Sequence, residues 1–291
     1  MTATTHPDIN DPNAFVFYRY TPSIPAAIIF IILFLASTGM HMFQAYRKRT
    51  FYFIPLIIGG FFEWIGYVGR AMGHSNPWNL GPYIMQELLT LLAPALFAAS
   101  IYMVLGRMIT FVDGEHLAPI RVSRLTKIFV AGDVFSFLVQ SSGGGLMASA
   151  GSMNMGKNLV VAGLCIQIIF FGLFVFSSLL FHVRINRNPT VASEAVAWKK
   201  YIYALYASSV LILIRSIFRV ALFADGNDSV LARNEAFVYI FDALFMLAVL
   251  VIFNVVHPGQ IIGRKKNRDA EEVHSQNSNN VTREEITMET K

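Results

Sequence analysis

Phe62-Glu63-Trp64-Ile65-Gly66-Tyr67-Val68-Gly69-Arg70 closes an apolar run that begins at Phe51 and is long enough to cross a bilayer. Its carboxylate and guanidinium stand seven residues apart. In a helix this spacing puts both on one face, about 10 Å apart along the axis. Hydrocarbon solvates neither charge, so each must face protein, water or a substrate. The stretch predicts a membrane helix inside a bundle, and the rest of the chain must supply its polar surroundings.

Composition agrees. Of 291 residues, 55% are hydrophobic, only 14% are charged, and 25 are Phe, which marks an all-α polytopic membrane protein. No soluble domain of useful size remains once the apolar segments are set aside. The single cysteine, Cys165, lies inside an apolar run, which excludes an intrachain disulfide framework and a multi-cysteine metal site. Residues 1–20 are polar and lack the apolar core of a signal peptide, so the first helix is expected to serve as an uncleaved anchor. There is no ATP-binding motif, nucleophile elbow or phosphate-binding loop, and no cofactor, metal or nucleic-acid partner is expected.

Seven segments satisfy the length of about 20 mostly apolar residues that a spanning helix needs. They fall near 24–46, 51–70, 83–108, 125–147, 158–182, 201–223 and 235–256. The end of the fourth is weakened by Ser141-Ser142-Gly143-Gly144-Gly145. With the N-terminus outside, 17 of the 23 Lys and Arg fall on the inner side, among them Arg47 to Arg49, Arg121 to Lys127, Lys199, Lys200 and Arg264 to Arg268. The positive-inside tendency therefore selects N-out and C-in. The expected organisation is an extracellular segment over 1–23, a seven-helix transmembrane domain over 24–260 and a disordered cytosolic tail over 261–291, whose Arg264 to Arg268 could meet anionic lipid. Asn227-Asp228-Ser229 is a glycosylation acceptor pattern in a loop that this topology puts outside.

The ionisable and polar residues inside these segments are the candidates for function. They are Glu63 and Arg70 on the second helix, Gln86 and Glu87 on the third, Asp133 and Gln140 on the fourth, Arg215 and Arg219 on the sixth, and Glu235 and Asp242 on the seventh. Each central charge opposes insertion by about 2.5–3.5 kcal/mol, so they require pairing or use. Alternating helix directions put Arg219 and Glu235 near the outer end, with Arg215 and Asp242 one to two turns deeper. Arg70, Glu63 and Glu87 share that half. Four acids against three arginines leave the layer slightly acidic and better suited to a cationic amphiphile than to an anionic one. The alternative is a closed ion-pair network that holds the helices together.

Other features carry less. Pro94 removes a backbone hydrogen bond, so the third helix should kink near Thr90 and leave a carbonyl available. Gly143 to Gly145 read as a turn, a close helix approach or backbone facing a ligand. His41, His182 and His257 end three helices on one side and could in principle hold zinc, although no paired spacing such as HxxxH accompanies them.

The ordered series Glu63-x-x-Gly66-Tyr67-x-x-Arg70, Gln86, Ala93-Pro94-Ala95, Ala99-Ser100-Ile101-Tyr102, Gln140-x-x-Gly143-Gly144-Gly145, Arg215-x-x-Phe218-Arg219, Glu235 and His257-Pro258-Gly259 resembles the fungal lipid-translocating exporter family, also called RTA-like proteins. The resemblance extends from about residue 20 to residue 260. It implies a seven-helix fungal protein, usually of the plasma membrane, linked to movement of sphingoid long-chain bases and to resistance to toxic amphiphiles. The expected partners are a lipid or amphiphilic small molecule and the bilayer. Two other classes stay open: a seven-helix receptor or sensor, for which Asp-Arg-Tyr and Asn-Pro-x-x-Tyr motifs are lacking, and an intramembrane lipid hydrolase using the histidines.

Overall fold

A computed structural model describes residues 18, 20–147, 151–195, 197–225 and 229–259. Among them there are helices and no strands. The long ones are α1 (Ile24–Lys48), α2 (Ile54–Ser75), α3 (Leu80–Phe111), α4 (Val122–Met147), α5 (Met153–Arg187), α6 (Lys199–Asp225) and α7 (Glu235–Val255). Local chemistry sets several ends. Pro25 and Pro55 occupy the first turns of α1 and α2, where a missing N–H costs nothing. The Asn79 side chain caps α3 by accepting from the Gly81 N–H at 3.1 Å. At the end of α1, Arg49 turns into the left-handed region with φ of 51°.

Six of the seven helices are long and apolar enough to cross a membrane. The exception is α4: at 26 residues it has the length, but Asp133, Gln140 and the run from Ser141 to Gly145 make it less apolar. Each helix packs against the next in sequence, and α7 returns to α1, so the bundle closes as a ring. Helix α3 also reaches across to α5 and α6. Its inward residues Phe97, Ile101, Tyr102 and Leu105 meet Phe53, Phe174, Leu205 and Leu250 in one continuous core. Outward faces carry exposed Ile28, Phe43, Phe135, Phe176, Ile217 and Val251, an apolar belt suited to acyl chains. The chain is a multi-pass membrane protein.

Asn227, the tail 261–291 and most of the N-terminal segment lie outside the described residues.

Candidate functional site

The charged stretch of α2 faces inward because its small residues let α3 come close. A Cβ at Gly69 would stand 2.9 Å from the Pro82 carbonyl oxygen, a contact that only glycine avoids. With the backbones this near, Glu63 and Arg70 are each only 1% exposed. Arg70 is held on every side. Its Nη2 donates to Glu235 Oε1 at 2.9 Å and to the Tyr20 hydroxyl at 2.6 Å, Nε donates to the Tyr239 hydroxyl at 3.2 Å, and Nη1 reaches Gln86 Oε1 at 3.4 Å. The guanidinium also lies over the Tyr20 and Tyr239 rings, at 5.4 and 5.0 Å from their centroids.

The segment before α1 completes this pocket. Tyr18 donates to Gln86 Oε1 at 2.8 Å, and the Ser23 N–H donates to both oxygens of Glu235, at 2.9 and 3.1 Å. Burial pushes the Tyr18 and Tyr20 phenols up, against the lowering effect of Arg70, so both remain neutral, Tyr18 as a donor to Gln86 and Tyr20 as an acceptor from Arg70.

A second group centres on Asp242. Arg215 Nε donates to Asp242 Oδ1 at 2.5 Å, and Arg219 Nη2 donates to Oδ2. Arg219 Nη1 donates to Glu87 Oε2 at 2.6 Å. Asp242 sits in a π-helical segment of α7, Tyr239–Leu244, whose wider turn carries its carboxylate between the two arginines of α6. The carbonyl that Pro94 frees is used: Thr90 O accepts from Arg215 Nη2 at 2.5 Å, and Thr90 Oγ1 accepts from Arg219 Nη2 at 2.9 Å. Gln86 joins the two groups by donating to Glu87 Oε1 at 3.2 Å.

Three arginines are thus matched by three acids, Glu87, Glu235 and Asp242. Glu63 is the fourth acid, and among the described residues it is in no ion pair. It lies within electrostatic reach of Asp242, Arg215 and Arg219, yet its Oε1 has no hydrogen-bond partner. Bare polar atoms also occur on its neighbours: the Tyr67 hydroxyl one turn along α2, Arg215 Nη1 and Arg219 Nε.

The structure brings together Glu63, Arg70, Gln86, Glu87, Arg215, Arg219, Glu235 and Asp242. It adds one detail and corrects another. Arg219 shares a level with Glu235 by sequence, but it pairs with Glu87 and Asp242, because Arg70 and the Ser23 N–H occupy Glu235. Asp133 and Gln140 do not join, because α4 faces the far end of α3 and the side of α5. There Tyr102 donates to Asp133 Oδ2 at 2.8 Å and Gln140 Nε2 donates to Gln167 at 3.1 Å. The three histidines do not come together: His41 and His257 both pack on Phe53, and His182 stands apart among Trp198, Tyr203 and Tyr206. His41 contacts the Leu250 carbonyl at 2.9 Å, His182 the Tyr206 hydroxyl at 3.2 Å and His257 the Thr50 hydroxyl at 3.5 Å. Among the described residues no cluster of three or more His, Cys, Asp or Glu is placed to hold a metal ion.

Sequence reasoning reached the Thr90 carbonyl through Pro94 but missed three side-chain partners: Tyr18, Tyr20 and Tyr239. One was open to inference, since Tyr239 follows Glu235 by one helical turn. The N-terminal tyrosines carry no such signal, since they precede any helix.

A family profile described as RTA1 like protein matches residues 56–265. Protoporphyrin uptake protein 1 of Saccharomyces cerevisiae is 39% identical over 281 residues, covering 84% of this chain and 92% of that protein. Protein RTA1 of the same yeast is 38% identical, with 84% and 86% covered. Probable lipid transporter atnI of Emericella nidulans is 31% identical, with 84% and 68% covered. No solved structure matches the chain.

Proposed function

Because the chain belongs to the RTA1-like protein family, we propose that it is a membrane transporter, not an enzyme, which moves lipid-like amphiphiles such as sphingoid long-chain bases across the bilayer. In this reading α4 is a seventh span, the N-terminus lies outside, the C-terminus lies inside, and the plasma membrane is the site of action. Relatives named for a lipid and for protoporphyrin support an amphiphilic substrate.

The observation that carries the proposal is the unmatched carboxylate of Glu63. Three acids already neutralise three guanidinium groups, so a cationic headgroup can meet Glu63 without displacing an existing pair. A sphingoid base offers one ammonium and hydroxyl groups. The ammonium donates to Glu63 Oε1, and the hydroxyl oxygens accept from Arg215 Nη1 and Arg219 Nε, which have no other partner among the described residues. Each of these atoms is costly to leave bare in a low-dielectric interior, so a ligand that satisfies them binds selectively. The alkyl chain then lies along the Phe-rich outer faces of the helices.

The test is transbilayer movement of a labelled sphingoid base in liposomes holding the purified protein. Movement above that of empty vesicles, abolished by Glu63→Gln, is expected. Rates equal to empty vesicles across several amphiphiles would sink the transporter reading.

The one-for-one matching of the other six charges favours a second reading, a clamp that only holds α2, α3, α6 and α7 together. Under that reading Glu63→Gln leaves transport intact, whereas Arg70→Gln depletes folded protein.

A further inference from the structure

Asp133 is the other buried carboxyl among the described residues that stands in no ion pair, and it lies far from the charged cluster. Its Tyr102 partner is 15 residues beyond Glu87 on α3. At the rise of an α-helix that is about 22 Å along the axis, toward the opposite end of the bundle. Asp133 is 3% exposed. Tyr102 donates to Oδ2 at 2.8 Å, while Oδ1 has no partner among the described residues.

The surroundings are aromatic. The Tyr102 ring lies 5.5 Å from Phe129 of α4, and 6.1 and 4.4 Å from Phe171 and Phe174 of α5. From α3 the titratable group facing Asp133 is Tyr102. The faces of α4 and α5 beside it bring phenylalanine and the neutral Ser136, whose hydroxyl bonds back to the Asp133 carbonyl. No Lys or Arg among the described residues pairs with it.

The contrast with Asp242 is one of charge fixation. Two guanidinium groups hold Asp242 as an anion, and taking a proton there would strand both of them. At Asp133 no guanidinium or ammonium among the described residues pairs with the carboxyl, so a change of its charge strands no partner. The Tyr102 bond to Oδ2 keeps the side chain in place in either state and leaves Oδ1 as the oxygen that binds and loses the proton.

We propose that Asp133 is a proton-exchange site that couples transport to a proton gradient. The proton comes from water at one face and forms an O–H bond to Oδ1, giving the neutral acid. Breaking that bond returns the proton to water at the other face, and no electrons change hands. Since the chain lacks an ATP-binding motif, such a site is one way for it to drive a substrate uphill. The coupling rests on the transporter reading; the proton exchange does not.

Two measurements on the full-length protein in phosphatidylcholine vesicles test it. The first is the infrared difference spectrum between acid and neutral pH. A carboxylic C=O band that titrates in the wild type should vanish in Asp133→Asn, persist in Glu63→Gln and shift in frequency in Tyr102→Phe. A band unchanged by Asp133→Asn, or by Tyr102→Phe should the first variant not fold, overturns the proton site. The second is accumulation of a labelled sphingoid base under an imposed pH gradient. Wild type should accumulate it, and Asp133→Asn should reach only the no-gradient level. Gradient-driven accumulation that survives in Asp133→Asn overturns the coupling. Wild-type vesicles that move no label at all overturn the transporter reading and the coupling with it, while the infrared band still decides whether Asp133 exchanges a proton.

Discussion

Helices α2, α3, α6 and α7 meet at the end of the bundle beside Tyr18 and residues 20–23 through guanidinium and carboxylate groups, whereas α4 and α5 meet through their backbones. At the first contact, Asp242 alone accepts from two arginines. At the second, Gly143 packs so closely that a Cβ there would stand 2.7 Å from the Gly156 carbonyl oxygen and 2.7 Å from the Val160 nitrogen. In lipid both devices hold helices without help from the hydrophobic effect, since acyl chains are as apolar as leucine. They differ in what they permit. A close backbone contact has one geometry and is lost if the helices part. Charged groups can exchange partners, so under the proposed function the ion-paired contact is the one that opens around a headgroup and closes again.

The sharpest way to break this contrast is at its most shared atom pair. Asp242→Asn leaves Arg215 and Arg219 buried without their common carboxylate, and loss of one partner from a buried pair costs about 3–5 kcal/mol. A large fall in the fraction of folded protein after detergent extraction is expected. A melting curve like that of wild type would show that the arginines find other partners. Next in size is Gly143→Ala, whose added methyl meets backbone on α5 and should cost about 1–3 kcal/mol, read from the same melt. Its neighbour gives the opposite sign. Gly144 has open space where a Cβ would go, so Gly144→Ala should stabilise α4 by up to about 1 kcal/mol through helix propensity. Equal effects at these two glycines would refute the close contact. Glu63→Gln should have the smallest effect on the melt, because it removes no pair, while transport is lost.

A local pH effect sharpens the contrast further. Burial, the Lys48 ammonium and the His41 ring push His257 down to about 4, from an ordinary value near 6.5. Its neutral form is the one the fold accommodates, so its contribution to stability is complete above pH 6.5 and is lost as pH falls through about 4. Amide protection factors at residues 50–53, 257 and 259, which remove the intrinsic pH dependence of exchange, should fall over that window in wild type and stay level in His257→Gln.

Much of the fold was legible in the chain. The segments near 24–46 and 235–256 coincide with Ile24–Lys48 and Glu235–Val255 almost to the residue, because apolar runs and Pro or charged ends mark them. The softer reading of α4 has its physical counterpart in a helix that is long but not among the six most apolar. The charged residues of α2, α3, α6 and α7 were legible as a layer, since alternating directions place charges at common depths. Their pairing was not. Depth says nothing about which faces meet, and neither the π turn around Asp242 nor the return of Tyr18 and Tyr20 onto Arg70 leaves a periodic trace. Asp133 and Gln140 were counted among the candidates only because polarity inside a membrane attracts notice wherever it lies; depth gave them no place in the layer.

The π turn of α7 has one more consequence. Such a turn accommodates an extra residue, yet the helix on either side keeps its phase. Winding the bulge along by one residue would rotate Asp242 about the axis like a single bead turned on a string, while Glu235 and Phe253 stayed where they are. The phase of this one turn is therefore what aims the carboxylate shared by two arginines, the bead on that string.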